Sequence, residues 1–234
     1  MPLDEDIISR AARFKIDAME QVLTYHRPAV HRLAVALTGR RAAGTAVARK
    51  VLARSLRFVH TWDAPETVER WFYHHTIQST RPYAGDPPDP RKDVLLLPAD
   101  MADLQAIAFV KALRSLPPQQ REAYLLTHGE QLPPRPVATA MDCSLDASAN
   151  HLVVATRTLK EIGGADYPRL ESAVATAYAS LTPEGDETVS VARSAIRRHV
   201  WPRRIKSLIG IALLVGFIAA GAWIAIKFRA TIDF

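Results

Sequence analysis

The strongest constraint on this chain is an uncharged apolar run near its C-terminus. Residues 207–226 read SLIGIALLVGFIAAGAWIAI and contain neither a charged residue nor a proline. A helix of this length rises about 30 Å, which matches the hydrocarbon core of a bilayer. The alternative is a buried helix of a soluble domain, but such a helix usually keeps a polar face. We therefore predict a transmembrane helix over 207–226.

The charges beside this run predict its orientation. Six basic residues and no acidic residue lie within 193–206, whereas the tail 227–234 carries two basic residues and one acidic residue. Because excess Lys and Arg stays on the cytoplasmic side, we expect a single-pass inner-membrane protein whose soluble domains are cytoplasmic. The cluster also predicts contact with anionic inner-membrane lipid. The small residues Ala212, Gly216 and Ala220 recur every four positions, so a span-mediated dimer is a further hypothesis.

The remainder of the chain is nearly neutral, so the net charge of +6 is not by itself a sign of nucleic-acid binding. Residues 1–190 carry 22 basic and 23 acidic side chains. Within them, 10–81 has 13 basic and 5 acidic residues and could meet a phosphate backbone, whereas 102–164 has six of each. The single cysteine, Cys143, excludes an internal disulfide and fits a reducing compartment.

The apolar spacing predicts an all-α fold, because no stretch shows sustained two-residue alternation. Five prolines between Arg81 and Asp100 are typical of a linker between two helical parts. The predicted division is a mobile N-terminus (1–13), a first helical module (14–81), a Pro-rich linker (82–101), a second helical module (102–164), a basic juxtamembrane segment (165–206), the transmembrane helix (207–226) and a short tail (227–234).

The juxtamembrane segment carries an apolar stripe at helical spacing. Val189, Ala192, Ile196 and Val200 share one face, and arginines lie beside it. A basic amphipathic helix that leads into a span is expected to lie on the inner leaflet. A solvated spacer is the alternative.

Catalytic and metal-binding patterns are missing from the sequence. It has no Gly-rich phosphate loop, no nucleophile–base pair and no Cys/His spacing that suits a metal, so we predict no enzyme activity, no cofactor and no metal site. His74 and His75 are neighbours on a predicted helix and point about 100° apart, so they do not chelate one ion. Four aromatic residues could either pack in the core or stack on an unpaired base: Trp62, Trp71, Phe72 and Tyr73.

Four short motifs resemble the extracytoplasmic-function sigma factors of RNA polymerase. YHRPAVHRLAVALTG (25–39) and ERWFYHHTIQSTR (69–81) are similar to helices of sigma region 2. ALRSLPPQQREAYLL (112–126) and VATAMDCS (137–144) are similar to the opening and the turn of region 4. The resemblance implies that the first module binds the polymerase clamp and opens the −10 element. It also implies a helix-turn-helix in the second module that reads the −35 element.

The resemblance implies RNA polymerase core and promoter DNA as partners, and an anti-sigma factor as a further one. It places the contacts to promoter DNA on Asn150, His151 and Arg157. It places the contacts to polymerase or DNA on Arg49, Lys50 and Arg54.

The chain departs from the family pattern in both modules. The acidic residues that usually follow the first helix are replaced by Gly44, Thr45 and Ala46. The reading helix begins with Asp146 and lacks the usual Lys and Arg before Arg157. The alternative function is therefore a membrane interaction module or anti-sigma-type regulator that keeps the fold without binding a promoter. The neutral second module favours this alternative, and the basic first module favours the sigma-factor role.

Overall fold

The computed structural model describes residues 3–83, 96–97 and 103–183, and isolated residues between 193 and 221. No strand occurs in this part of the chain, which confirms the all-α prediction for the described residues. Its helices are α1 (Glu5–Ala12), α2 (Ile16–Thr38), α3 (Arg41–Ser55), α4 (Pro65–Thr80), α5 (Leu104–Ser115), α6 (Pro118–Tyr124), α7 (Pro134–Met141), α8 (Leu145–Gly163) and α9 (Tyr167–Ala179). Below, the first module is residues 3–83 and the second module is residues 103–183.

Helix α2 is the centre of the first module and packs against α1, α3 and α4. It ends at Gly39, whose φ of 65° is a left-handed conformation that glycine adopts without strain. Gly44 on α3 brings the next helix very close, since a Cβ at this position would lie 2.4 Å from the Cα of Val35. The pair of glycines therefore allows α3 to fold back tightly along α2.

Helix α1 lies in the segment 1–13, for which the sequence predicted a mobile start rather than a helix. The carboxylate of Asp4 accepts a hydrogen bond from the backbone N–H of Ile7 at 2.8 Å and caps α1. Ile7, Ile8 and Ala11 are buried against the rest of the first module. A capped start and one apolar face therefore attach this short helix to its module.

The second module extends beyond the boundary that the sequence predicted at residue 164. Helix α9 lies in the segment that was expected to be juxtamembrane, yet Leu170, Val174 and Tyr178 are buried in the core of the second module. Leu181 extends the same core. The second module includes α9 because these apolar residues recur every three or four positions and face α5, α8 and the turn after α6.

The two modules share a buried ion-pair network centred on Glu130. Its carboxylate accepts hydrogen bonds from the guanidinium of Arg32 at 3.2 and 3.0 Å, from the hydroxyl of Tyr73 at 3.1 Å and from the hydroxyl of Tyr178 at 2.8 Å. The side chain of Glu130 is only 4% exposed. Burial alone would lower the pKa of Arg32, but the hydrogen bonds and charge of Glu130 raise it. Helices α2, α4 and α9 thus meet at one carboxylate.

Further polar contacts connect the modules, among them one made by Arg81 and one made by Arg114. The guanidinium of Arg81 donates to both carboxylate oxygens of Glu122 at 3.2 Å, and Glu122 is 2% exposed. The guanidinium of Arg114 donates to the carbonyl oxygen of Gly39 at 2.8 Å. Apolar residues of α2 and α4 also belong to the core that contains the second module. The modules therefore form one packed body in the described part of the chain.

Most of the predicted linker 82–101 and of the predicted span 207–226 lies outside the described residues. Leu96 and Leu97 of the linker are described and are buried in the shared core. Within the described residues, no helix is long and apolar enough to cross a bilayer. The described members of the apolar run include four large side chains that are 59–79% exposed: Leu213, Val215, Phe217 and Ile218.

Candidate nucleic-acid interface

Helices α7 and α8 form a helix-turn-helix with a tightly bonded turn. Asp142 ends α7 in a left-handed conformation with φ 58°, and the N–H of Cys143 donates to the carbonyl oxygen of Ala138 at 3.1 Å. The hydroxyl of Ser144 then accepts from the backbone N–H of Ala147 at 3.1 Å and caps α8. The first turn of α8 carries an acidic side chain, which the helix dipole favours there. The local sequence therefore fixes how α8 leaves the turn.

Helix α8 has one buried face and one exposed face. Ser148, Ala155 and Leu159 are buried against the core. Asn150 and Arg157 are exposed and lie seven residues apart, so they share the opposite face with two helical turns between them. Both are residues that the resemblance assigned to DNA contact. This geometry leaves their side chains accessible to a duplex.

The third predicted contact, His151, does not share this face. Its side chain is half-buried and lies at the flank of α8, because it is rotated by about 100° from Asn150. Val153 lies between Asn150 and Arg157 on the exposed face, and its side chain is 54% exposed. A methyl-bearing side chain in this position suits contact with the methyl group of thymine. The sequence prediction did not include Val153, although its spacing from Asn150 could have indicated it.

Basic residues are present around the exposed face of α8, but they are balanced by acidic ones. Arg135, Arg157 and Lys160 are exposed on α7 and α8. Asp142 and Asp146 are exposed at the turn and at the start of α8. Phosphate contacts by this module alone therefore contribute a limited electrostatic attraction.

The predicted polymerase contacts lie on α3, and the structure exposes two of the three. Lys50 and Arg54 are exposed and one helical turn apart, whereas Arg49 is half-buried. The opposite face of α3 carries Val47 and Val51, which are buried in the first module. The exposed side of α3 is therefore basic, as the charge count of the sequence indicates.

An aromatic cluster adjoins this basic side. The rings of Phe58 and Trp71 lie 5.6 Å apart, those of Trp71 and His75 lie 4.0 Å apart, and the guanidinium of Arg54 lies 5.9 Å from the Phe58 ring. Burial, with smaller contributions from Arg54 and His74, lowers the pKa of His75 to about 4. His75 is therefore neutral at pH 7 and extends the aromatic surface.

For the four aromatic residues, the sequence allowed either packing in the core or stacking on an unpaired base. The structure distinguishes these two roles by the burial of each side chain. Trp62, Phe72 and Tyr73 are buried, and Tyr73 bonds to Glu130, so these three belong to the core. Trp71 is half-buried and is the member of the four that can face a ligand. The sequence prediction did not include its neighbour His75 in this role, although the two lie one helical turn apart on α4.

The other candidate groups are possible metal ligands and the thiol of Cys143. Within the described residues, no three His, Cys, Asp or Glu side chains form a group that could hold a metal ion. Cys143 is half-buried, and burial, together with Glu122 and Asp142, raises the pKa of its thiol. A thiol in these surroundings stays protonated at neutral pH.

One stretch of the chain is similar to a known protein family. Residues 106–159 match the family model of sigma-70, region 4. The match begins within α5 and ends within α8, so it covers the helix-turn-helix. No curated protein and no solved structure matches the chain. The helix-turn-helix of the second module therefore lies within a stretch whose sequence is similar to sigma-70, region 4.

Proposed function

We propose that this protein is a membrane-tethered transcription initiation factor of the extracytoplasmic-function sigma type. The observation that carries the proposal is the region 4 match over 106–159, combined with an α8 that exposes Asn150 and Arg157 on one face. A major groove admits an α-helix, and sequence is read there by side chains that reach base edges. Helix α8 is the reading helix in this proposal.

Each side chain on the exposed face has a role that follows from its chemistry. The amide of Asn150 can donate to N7 of adenine and accept from its amino group, a bidentate pairing that specifies this base. Val153 contacts a thymine methyl group. Arg157, two turns further on from Asn150, binds a phosphate and positions the helix without reading sequence.

In this proposal the first module contacts polymerase and unpaired DNA. Lys50 and Arg54 supply positive charge on the exposed side of α3. Trp71, with Phe58 and His75, offers an aromatic surface on which an unpaired base can stack. Base stacking tolerates any sequence, which suits a region that opens a duplex.

Membrane attachment is the third part of the proposal. The run 207–226 is long enough to cross a bilayer, and its described large apolar side chains are exposed. The basic cluster before it keeps both modules in the cytoplasm by the positive-inside rule. Attachment limits the factor to promoters that reach the membrane, or requires its release.

The test is a selection of bound sequences by the full-length chain in detergent micelles. A pool of randomised duplexes is incubated with the protein, with and without RNA polymerase core, and the bound DNA is sequenced. We expect a polymerase-dependent preferred sequence that Asn150→Ala relaxes at one adenine, with a loss of about 1–3 kcal/mol. Arg157→Ala should weaken all sequences alike and reduce the salt slope by about one.

Lys111→Ala is the matched control, because it removes one exposed cation from α5 rather than from α8. It should leave the preferred sequence unchanged. Enrichment of no sequence, at low salt and with polymerase present, would contradict the proposal.

The second candidate function is a protein-interaction module that keeps the fold without promoter binding. The observation that favours it is the character of α8, where Leu145 and Val153 are 45% and 54% exposed beside Asp146. Apolar and acidic side chains suit a protein surface better than a polyanion. The selection above separates the two functions, because this candidate enriches no DNA sequence.

A further inference from the structure

The first module has an open groove on the side formed by α1 and the N-terminal half of α2. The groove has a volume of about 460 Å³. Its lining combines apolar and acidic side chains with polar ones, among them Leu3, Ile7, Asp17, Glu20, Gln21 and Tyr25. Asp17 forms an ion pair with Arg10, so Glu20 is the lining carboxylate that remains for another partner. A mixed apolar and acidic groove suits a basic amphipathic segment.

The structure shows such a segment of the same chain at this module. Ile196 is fully buried and belongs to the apolar core cluster of the first module, which includes Ile7 and Leu23. The guanidinium of Arg193 lies 3.3 Å from the carboxylate of Glu20. Arg193 and Ile196 are three residues apart, the spacing of neighbours on one side of a helical turn.

The charges of the two partners are complementary. Residues 3–25 carry five acidic and three basic side chains, whereas residues 193–206 carry six basic and no acidic side chains. The Arg193–Glu20 pair is partly exposed and contributes little by itself. The burial of Ile196 therefore supplies most of the attraction, and the ion pair selects the register of the segment.

We propose that the surface of the first module beside this groove, formed by Glu20 and the apolar cluster around Ile7 and Leu23, is a docking surface for the basic segment that carries Arg193 and Ile196. This assigns a partner to the segment that differs from the sequence prediction, in which the apolar stripe through Ile196 lies on the inner leaflet. Ile196 cannot be buried in the first module and in lipid at once, so the two placements exclude each other. Val189, Ala192 and Val200, the other members of that stripe, lie outside the described residues.

The docking does not depend on the proposed promoter binding, but its consequence depends on the proposed membrane span. The run 207–226 begins ten positions after Arg197. Even fully extended, ten residues reach only about 35 Å. A docked segment therefore holds the first module beside the membrane and restricts how far it can move from the surface.

The test measures whether position 196 is accessible in the full-length chain. Replacing the single native cysteine by Cys143→Ser gives a background in which Ile196→Cys is labelled by a maleimide in neutral detergent micelles. Ser194→Cys, at an exposed position of the same segment, is the matched reference. We expect labelling of Ile196→Cys to be slower by about tenfold or more, because it requires the segment to detach.

Reversing the charge of Glu20 then tests whether this residue is the partner of Arg193. Glu20→Lys should accelerate labelling of Ile196→Cys several-fold, and Arg193→Glu added to Glu20→Lys should restore the slow rate. Glu66→Lys, at an exposed position on α4, should have no effect. Equal labelling rates at positions 194 and 196 in the otherwise unchanged chain would overturn the proposal.

Nanodiscs with anionic lipid provide the second arm. Protection of Ile196→Cys only in anionic nanodiscs, unaffected by Glu20→Lys, would assign the segment to lipid and overturn the docking. Protection in both neutral micelles and nanodiscs, sensitive to Glu20→Lys, supports it. The outcome is independent of DNA selection, so a failure here and a failure of the proposed function are distinguishable.

Discussion

His26 is a histidine that the fold keeps uncharged. Its ring is 4% exposed and stacks on Phe72 with ring centroids 4.5 Å apart. Its Nε2 is buried and has no hydrogen-bond partner within the described structure. Burial lowers the pKa of His26 to about 4, because the charged imidazolium would lose its hydration without gaining a partner.

Because of His26, we predict that the free energy of unfolding decreases at mildly acidic pH. The unfolded chain binds a proton at His26 below pH 6.5, whereas the folded chain does so only near pH 4. The contribution of the neutral His26 ring to the free energy of unfolding is therefore fully present above pH 6.5 and is lost as the pH drops towards 4. We expect the free energy of unfolding to fall by about 2 kcal/mol between about pH 7 and pH 5 from this residue. Urea unfolding in mild detergent measures it.

His26→Phe is the matched variant, since a phenyl ring can occupy the same space against Phe72. Between about pH 7 and pH 5, the free energy of unfolding of the wild type should fall by about 2 kcal/mol more than that of the variant. His75 also titrates in this range, so the difference between the two curves is the relevant quantity. Parallel curves would contradict the role assigned to His26.

At the scale of the helices, Glu130 joins elements that are far apart in sequence. It lies just after the π-helical turn Leu125–Gly129, and its hydrogen bonds come from α2, α4 and α9. The hydroxyl groups of Tyr73 and Tyr178 are buried, and burial raises the pKa of both, so they stay protonated donors. Loss of the carboxylate leaves one cation and two hydroxyls without this acceptor.

We predict that Glu130→Ala lowers the free energy of unfolding by about 3–5 kcal/mol, the cost of removing one partner of a buried ion pair. Tyr73→Phe should cost only about 1 kcal/mol, because it removes one neutral donor from an acceptor that keeps its other bonds. Urea unfolding measures both. Glu161→Ala, at an exposed position on α8, is the control and should change stability little. Equal effects of Glu130→Ala and Glu161→Ala would show that the network does not hold the modules together.

Helix ends that depend on local capping residues could be predicted from the sequence. Short helices that are stabilised by packing against distant parts of the chain could not. The end of α2 at Gly39 and the turn before α8 were readable, because capping depends on residues within one helical turn. The packed helices α1 and α9 were not predicted. Both are short, and they are stabilised by apolar faces that only packing against distant helices satisfies.

At the scale of the whole molecule, we predict that the full-length protein sediments with membranes and is released by detergent. An apolar run without charge over 207–226 favours insertion strongly. Ile218→Arg combined with Val215→Arg should shift the protein towards the supernatant, because each arginine at the centre of a span costs about 2.5–3.5 kcal/mol. Fractionation of cell lysates followed by immunoblotting measures the distribution.

A reporter fused after Phe234 tests orientation in the same cells. The positive-inside rule predicts that a reporter requiring export is active there, whereas a cytoplasmic reporter is inactive. Lys111→Ala is the control for both measurements, because it leaves the apolar run and its basic flank unchanged. Full-length protein that remains in the supernatant would remove membrane attachment from the proposed function.

Features that depend on neighbouring residues could be predicted before any packing was known. These are the all-α class, the turn that presents α8 and the apolar character of 207–226. Each follows from helical periodicity, capping or hydropathy within a short stretch of chain.

The contacts between distant parts of the chain required the three-dimensional arrangement. Glu130 meets Arg32 across 98 positions, and Arg193 meets Glu20 across a still longer separation. His151 lies at the flank of α8 rather than on its exposed face, and Tyr73 lies in the core. Burial and ion pairing depend on which surfaces pack together, and no local pattern carries that information.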